Sequence, residues 1–157
     1  MIIDIEQIVE KYSNMIMQIA YQNCYNKSEA EDITQEIFIK LIKNAEKIDS
    51  EEHLKAWLIR ATINLSRDYN KSFWNKNTLK LDEELRYFDT EVQEVFKEIS
   101  NLKPTYRNII YLYYYQGYKI NDIAKILNMS PNTVSSNLTR ARKKLGTILL
   151  NGGEADA

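Results

Sequence analysis

The sequence predicts an all-α protein: two small helical domains joined by a linker, the C-terminal domain carrying a helix-turn-helix. Three observations predict it. Apolar residues recur at three- and four-residue spacing through most of the chain, which is the helical period. Four Gly and two Pro in 157 residues leave little turn material for a sheet sandwich or barrel. The periodicity lapses between Asn75 and Asp89 and then resumes. Halves of about 75 residues lie near the lower limit for an independent core, so each half is expected to be compact and helical.

The first strong element starts at Ser28. Ser28 and Glu31 have capping-box spacing, and Ile33, Ile37, Phe38 and Leu41 then form one apolar stripe. Asp49 and Glu52 give a comparable start signal for the next helix. There Leu54, Leu58, Ala61 and Leu65 fall at i, i+4, i+7 and i+11 and read as the buried face, with Trp57 beside them, either packed in the core or acting as a wedge against DNA. Asn75, Asn77 and Thr78, followed by Asp82, Glu83 and Glu84, read as a linker. The expected organisation is therefore a domain over 1–75, a linker over 76–89, a domain over 90–150 and a tail over 151–157.

The second unit begins near Thr90, pauses at Asn101 and restarts at Pro104, which suits a first helical turn. The run Tyr106 to Gln116 ends at Gly117, a C-cap residue. Its cluster Tyr111, Tyr113, Tyr114, Tyr115 and Tyr118 offers a docking surface, although a helix core accounts for most of it. Ile120, Ile123, Ala124 and Leu127 define a short amphipathic helix, Asn128 to Ser130 a turn, and Ser130 with Pro131 a sharp new start. Val134, Leu138, Ala141 and Leu145 then share one face. Ser135, Thr139, Arg142 and Ser136, Arg140, Lys143 form adjoining exposed strips.

A tight turn between two short helices lets the second protrude. Small polar residues with Arg and Lys suit a major groove: arginine pairs with guanine, hydroxyls meet base edges or phosphate, and basic residues neutralise the backbone. The other reading of this face is a solvated helical hairpin.

Charge is unevenly spread. The net charge is -1, but residues 1–52 hold eleven Asp/Glu against five Lys/Arg. Lys55, Arg60, Arg67, Lys71 and Lys76 follow with Asp68 alone opposing them, and 131–146 carries Arg140, Arg142, Lys143 and Lys144 with no acid. Two basic segments in an acidic chain fit two nucleic-acid contacts and a different partner for the acidic part, or plain solvated helix faces. Cys24 is the only cysteine and reads as a small core residue. His53 is the only histidine, which leaves no material for a His/Cys metal site or a Ser-His-Asp triad. No metal, no cofactor and no enzymatic activity are expected. No apolar run approaches the roughly 18 residues of a membrane span. With no apolar signal segment at the N-terminus, a cytoplasmic location without membrane insertion is expected.

At this point the residues resemble a known family. Leu102-Lys103-Pro104-Thr105-Tyr106-Arg107, Gly117, Ile123-Ala124-Lys125-Ile126-Leu127, Ser130-Pro131-Asn132-Thr133-Val134-Ser135-Ser136 and Arg140-Ala141-Arg142-Lys143-Lys144-Leu145 together look like sigma region four. The resemblance implies a unit that reads the minus-thirty-five promoter element, with Ser135, Ser136, Thr139 and Arg140 facing bases and Arg142 and Lys143 near phosphates. Ser135 and Asn137 stand where the family usually has basic residues. Lys119 stands where it has a Ser cap, and Asn121 offers a substitute cap that would shorten the helix.

Ala30-Glu31-Asp32-Ile33-Thr34-Gln35-Glu36-Ile37-Phe38-Ile39-Lys40-Leu41 resembles sigma region two. Asp32, Gln35 and Glu36 share a helix face, and the resemblance implies that they dock on the clamp helices of core RNA polymerase. Lys55-Ala56-Trp57-Leu58-Ile59-Arg60-Ala61-Thr62-Ile63-Asn64, with Arg67-Asp68, extends the likeness. It implies capture of the minus-ten element as an opened strand, with Ala45 to Ser50 forming a pocket for an extruded base. Asn64 and Arg67 would contact DNA, and Arg60 and Lys71 would support its backbone. With the third region absent, the chain is similar to the extracytoplasmic-function (ECF) sigma factors of the sigma-70 superfamily. The implied partners are core RNA polymerase, promoter DNA and an anti-sigma factor. The alternatives are an autonomous helix-turn-helix regulator, which would bind duplex tightly without polymerase, and a helical protein-interaction module.

Overall fold

The computed structural model describes residues 2–69 and 83–146. All the regular structure among them is helical, as the sequence predicts. The chain divides between Glu84 and Leu85 into two units. Lys71, residues 76–82 of the predicted linker and the predicted tail lie outside the described residues.

The first unit holds α1 (Ile5–Cys24), α2 (Lys27–Asn44) and α3 (Glu51–Tyr69), each packed on the other two. Ile16, Ile19, Ala20 and Tyr21 of α1 are buried against the predicted stripe of α2, Ile33, Ile37, Phe38 and Leu41. Side chains of this kind contribute about 1.5–3 kcal/mol each when fully buried. That outweighs any single cap, worth about 1 kcal/mol.

The start of α2 differs from the capping box at Ser28. Tyr25 takes the left-handed conformation (φ 49°), and Asn26 is the N-cap, its side-chain oxygen accepting from the Glu29 N–H at 2.9 Å. Asn caps as well as Ser does, and the tight α1–α2 corner selects the earlier site. Glu84 Oε1 accepts from the Lys27 N–H (3.2 Å) and from the Tyr21 hydroxyl (3.1 Å), which fastens the far end of the unit to the same corner. Burial, and then the Glu84 carboxylate, push the Tyr21 hydroxyl above the ordinary phenol range.

A 3₁₀ turn, Ala45–Lys47, leads to α3, with Ile48 buried behind it. The cap of α3 is Ser50, one residue after Asp49, since Ser50 Oγ accepts from the His53 N–H at 3.0 Å. Glu51 joins α3 to α1, accepting from the Tyr12 hydroxyl and pairing with Lys11 at 2.9 Å. Those two bonds hold its carboxyl below the usual carboxylate range.

The buried face of α3 corrects the predicted stripe. Leu54 and Leu58 are buried, but Ala61 and Leu65 are only half-buried, and Thr62, Ser66, Ile59 and Ile63 take the core positions. Thr62 donates to the Leu58 carbonyl (2.7 Å) and Ser66 to that of Thr62 (2.6 Å). Hydroxyls satisfied by their own helix carry little penalty in a core. Trp57 is thereby moved out of the core and is half-exposed.

The second unit runs α4 (Thr90–Ile99), α5 (Pro104–Ile110), a π-helical turn (Tyr111–Tyr115), α6 (Ile120–Leu127) and α7 (Pro131–Leu145). Helix α7 packs on α5 and α6 through Val134, Leu138, Ala141 and Leu145, the predicted face. Gly117 follows the π turn at φ +76°, a conformation open to glycine without strain. Arg107 is fully buried and donates to the Leu102 carbonyl at 2.5 Å, tying α5 to the segment before it. Of the five tyrosines, only Tyr111 belongs to the core; Tyr113, Tyr115 and Tyr118 are half-exposed and Tyr114 is exposed.

Helix α6 starts at Ile120 with Lys119 in the cap position and no side-chain cap bond, so Asn121 lies inside the helix and does not shorten it. It ends at Asn128 in the left-handed region (φ 58°). Ser130 then caps α7, accepting from the Thr133 N–H at 3.1 Å, with Pro131 in its first turn. Ser130→Ala is expected to cost about 1 kcal/mol, or roughly 4–8 °C in a unit of this size, while Ser130→Asp keeps the melting point. Thermal denaturation of the three proteins checks it.

Candidate nucleic-acid interface

Helix α7 turns its polar face away from the core because its four buried residues fix its rotation. Ser135, Ser136, Thr139, Arg140 and Lys143 are exposed together on that face. Thr139 donates back to the Ser135 carbonyl (3.1 Å), and Arg140 reaches Asn137 Oδ1 (3.2 Å). No acidic side chain lies on α7, so the surface is cationic and rich in donors. Arg142 is placed differently. It is half-buried, its Nε donates to the Tyr114 hydroxyl at 2.5 Å, and its guanidinium lies over both Tyr113 and Tyr114.

In the first unit the displaced face of α3 forms a surface of its own. Trp57, Arg60, Ala61, Asn64 and Leu65 line an open groove of about 370 Å³, closed on its other side by Lys40 and Asn44 of α2. Arg60, Asn64 and Arg67 are exposed at i, i+4 and i+7, so they follow one strip of the helix. The groove combines an indole face, two cations and two amides. Aromatic faces with cations beside them suit unstacked bases and the backbone that carries them. None of Ala45 to Ser50 lines it. The sequence reading did not name Lys40 and Asn44 here, and it left Trp57 between a core position and a DNA contact; the structure places Trp57 half-exposed in the groove.

On α2, Asp32 and Gln35 are exposed and Glu36 is half-buried. Ile39 and Ile42 continue that exposed surface at 53% and 58% exposure, an apolar extension of an acidic face. Such a face, polar at one end and apolar at the other, resembles a protein-docking surface more than a solvated one.

Two helical units, one with a helix-turn-helix and one with a basic groove walled by Trp57, Arg60 and Lys40, have the make-up of a DNA-binding factor of the transcription machinery. Residues 8–74 match the family model for sigma-70 region 2, and 93–145 match that for sigma-70 region 4. The chain is 31% identical to the ECF RNA polymerase sigma factor SigW of Bacillus subtilis (strain 168), covering 88% of this chain and 84% of that protein. It is 27% identical to SigM of the same bacterium, covering 94% and 96%. The structure of the sigma factor RpoE in complex with the anti-sigma factor NepR from Bartonella quintana has the same fold. Its TM-score is 0.69 at 21% identity, over 92% of this chain and 95% of that one. The chain belongs to the extracytoplasmic-function sigma factors of the sigma-70 family.

Proposed function

We propose that this chain docks on core RNA polymerase through the α2 face of Asp32, Gln35 and Glu36 and directs the enzyme to promoters that its two units read separately. In this reading, residues 1–75 act as region two, 90–150 as region four and 76–89 as the linker between them. Ser135, Ser136, Thr139 and Arg140 meet bases of the upstream duplex element, and Lys143 and Arg142 meet phosphates. Arg60, Asn64, Arg67 and Lys71 hold the opened downstream strand. The protein works in the cytoplasm by recruitment and carries out no covalent chemistry itself. Its regulator is an anti-sigma factor, the class of partner named with RpoE from Bartonella quintana.

The observation that carries the reading is the Trp57 groove. A duplex-binding regulator has no use for a stacking platform flanked by Lys40 and Arg60, whereas a protein that holds a melted strand needs one. The net charge of -1 agrees, because a free protein with so little cationic excess binds DNA weakly and needs the enzyme for affinity. Tethering two weak contacts raises the effective concentration at the second.

The test is core binding. Asp32→Ala with Glu36→Ala is expected to weaken association with core polymerase by at least tenfold, in keeping with about 1–3 kcal/mol for charge-assisted contacts, and to leave helicity unchanged. Unaltered affinity of the double variant removes the docking assignment. Tight, sequence-specific duplex binding by the purified protein alone would favour the autonomous regulator instead.

A further inference from the structure

We propose that Tyr113 and Tyr114 are positioning residues for duplex binding: they hold Arg142 in the pose in which it meets a backbone phosphate. The inference rests on the reading of α7 as the duplex-facing helix. Arg142 Nε donates to Tyr114 Oη at 2.5 Å. The guanidinium carbon stands 5.6 Å from the Tyr113 ring centre and 5.5 Å from that of Tyr114. The two rings meet edge-on at 4.9 Å and 81°, forming an L-shaped wall for the cation.

The wall itself is fixed from below. The Gln116 N–H reaches back five residues to the Tyr111 carbonyl at 3.0 Å, the mark of a π turn. The buried Tyr111 ring stacks on Tyr115 at 5.2 Å, and its hydroxyl accepts from Gln116 Nε2 at 3.1 Å. A π turn is disfavoured locally and recurs where a helix must re-aim side chains for a purpose. Here it aims two consecutive tyrosines at one arginine 28 residues further along the chain.

An unrestrained surface arginine loses rotamer freedom when it grips a phosphate; an arginine already clamped has lost it beforehand. The clamp uses Nε, so the terminal edge of the guanidinium faces away from that bond, and that edge carries the fork which fits phosphate oxygens. Tyr114 accepts from Nε and thereby fixes the guanidinium at the end of the helix.

The experiment is a double-mutant cycle on the assembled holoenzyme. The probe is a duplex selected by the wild-type holoenzyme from a randomised library, titrated at several salt concentrations. Arg142→Ala is expected to lower affinity and to reduce the salt slope by about one phosphate contact. Tyr114→Phe is expected to lower affinity about three- to tenfold, as loss of one hydrogen bond implies, and to have no further effect in the Arg142→Ala background. A salt slope unaltered by Arg142→Ala, or an equal loss from Tyr114→Phe in both backgrounds, overturns the inference and makes the cluster a strut within the second unit. Failure of the wild-type holoenzyme to select any duplex, by contrast, counts against the sigma-factor reading itself.

Discussion

Arg107→Ala melts the second unit of the full-length chain far below the wild type and abolishes duplex reading. The side chain has no exposed surface, and its Nη1 donates to the Leu102 carbonyl at 2.5 Å. Truncation leaves a cavity and removes a donor from a buried carbonyl at once, for about 3 kcal/mol or more. A helical unit of this size has a total stability of about 3–9 kcal/mol, so the loss claims a large share of it. The expected fall in melting temperature is roughly 10–20 °C. Circular dichroism of the full chain should show this early phase, while a thermal transition of the first unit, followed by the fluorescence of Trp57 and Trp74, both of which precede Leu85, keeps its midpoint. Arg107→Met restores the volume but not the donor and is expected to recover only part. A melting profile for Arg107→Ala within about 2 °C of wild type would show that the buried guanidinium is not what closes the unit.

Nothing in the sequence marked Arg107 as a core residue, and the reason is general. Pattern reading places charged residues outside, and only tertiary contacts reveal the carbonyl that satisfies a buried one. Where burial follows from period alone, the sequence was sufficient: Ile33, Ile37, Phe38 and Leu41 of α2 and Val134, Leu138, Ala141 and Leu145 of α7 are all buried. Caps with fixed local chemistry were equally legible, as Ser130 with Pro131 and Gly117 show. Helix α3 escaped because Thr62 and Ser66 bury themselves by bonding to their own backbone, which turned the helix and carried Ala61, Leu65 and Trp57 to the surface. The clasp on Arg142 escaped because its partners come from a distant turn with an irregular hydrogen-bond pattern.

Trp57→Ala is expected to weaken the capture of an unpaired strand about 5- to 150-fold, the equivalent of about 1–3 kcal/mol for one stacked base. Trp57 lies half-exposed in the groove between Arg60 and Asn64 of α3 and Lys40 and Asn44 of α2, so its removal takes away contact area without hollowing the core. Helicity should persist for that reason. Binding of the holoenzyme to a single-stranded oligonucleotide carrying the downstream element measures the effect directly. On promoters opened in advance by mismatches, transcription by the variant should keep its deficit, since the lost stacking acts on a strand that is already unpaired. Trp57→Phe keeps a π face and should retain most of the affinity. Equal strand binding by Trp57→Ala and wild type would return Trp57 to a packing role.

Cys24 is the sole thiol of the chain, 1% exposed, with its Sγ 3.5 Å from the Asn26 carbonyl. An alkylating reagent reaches it only in molecules in which the α1–α2 corner has momentarily opened. The labelling rate in native buffer is therefore a stopwatch for that opening, built in without engineering and blind to the second unit. The same shielding has a cellular side: a peroxide or a disulfide reagent meets no sulfhydryl on the closed molecule, and any direct thiol chemistry at this position must wait for that opening.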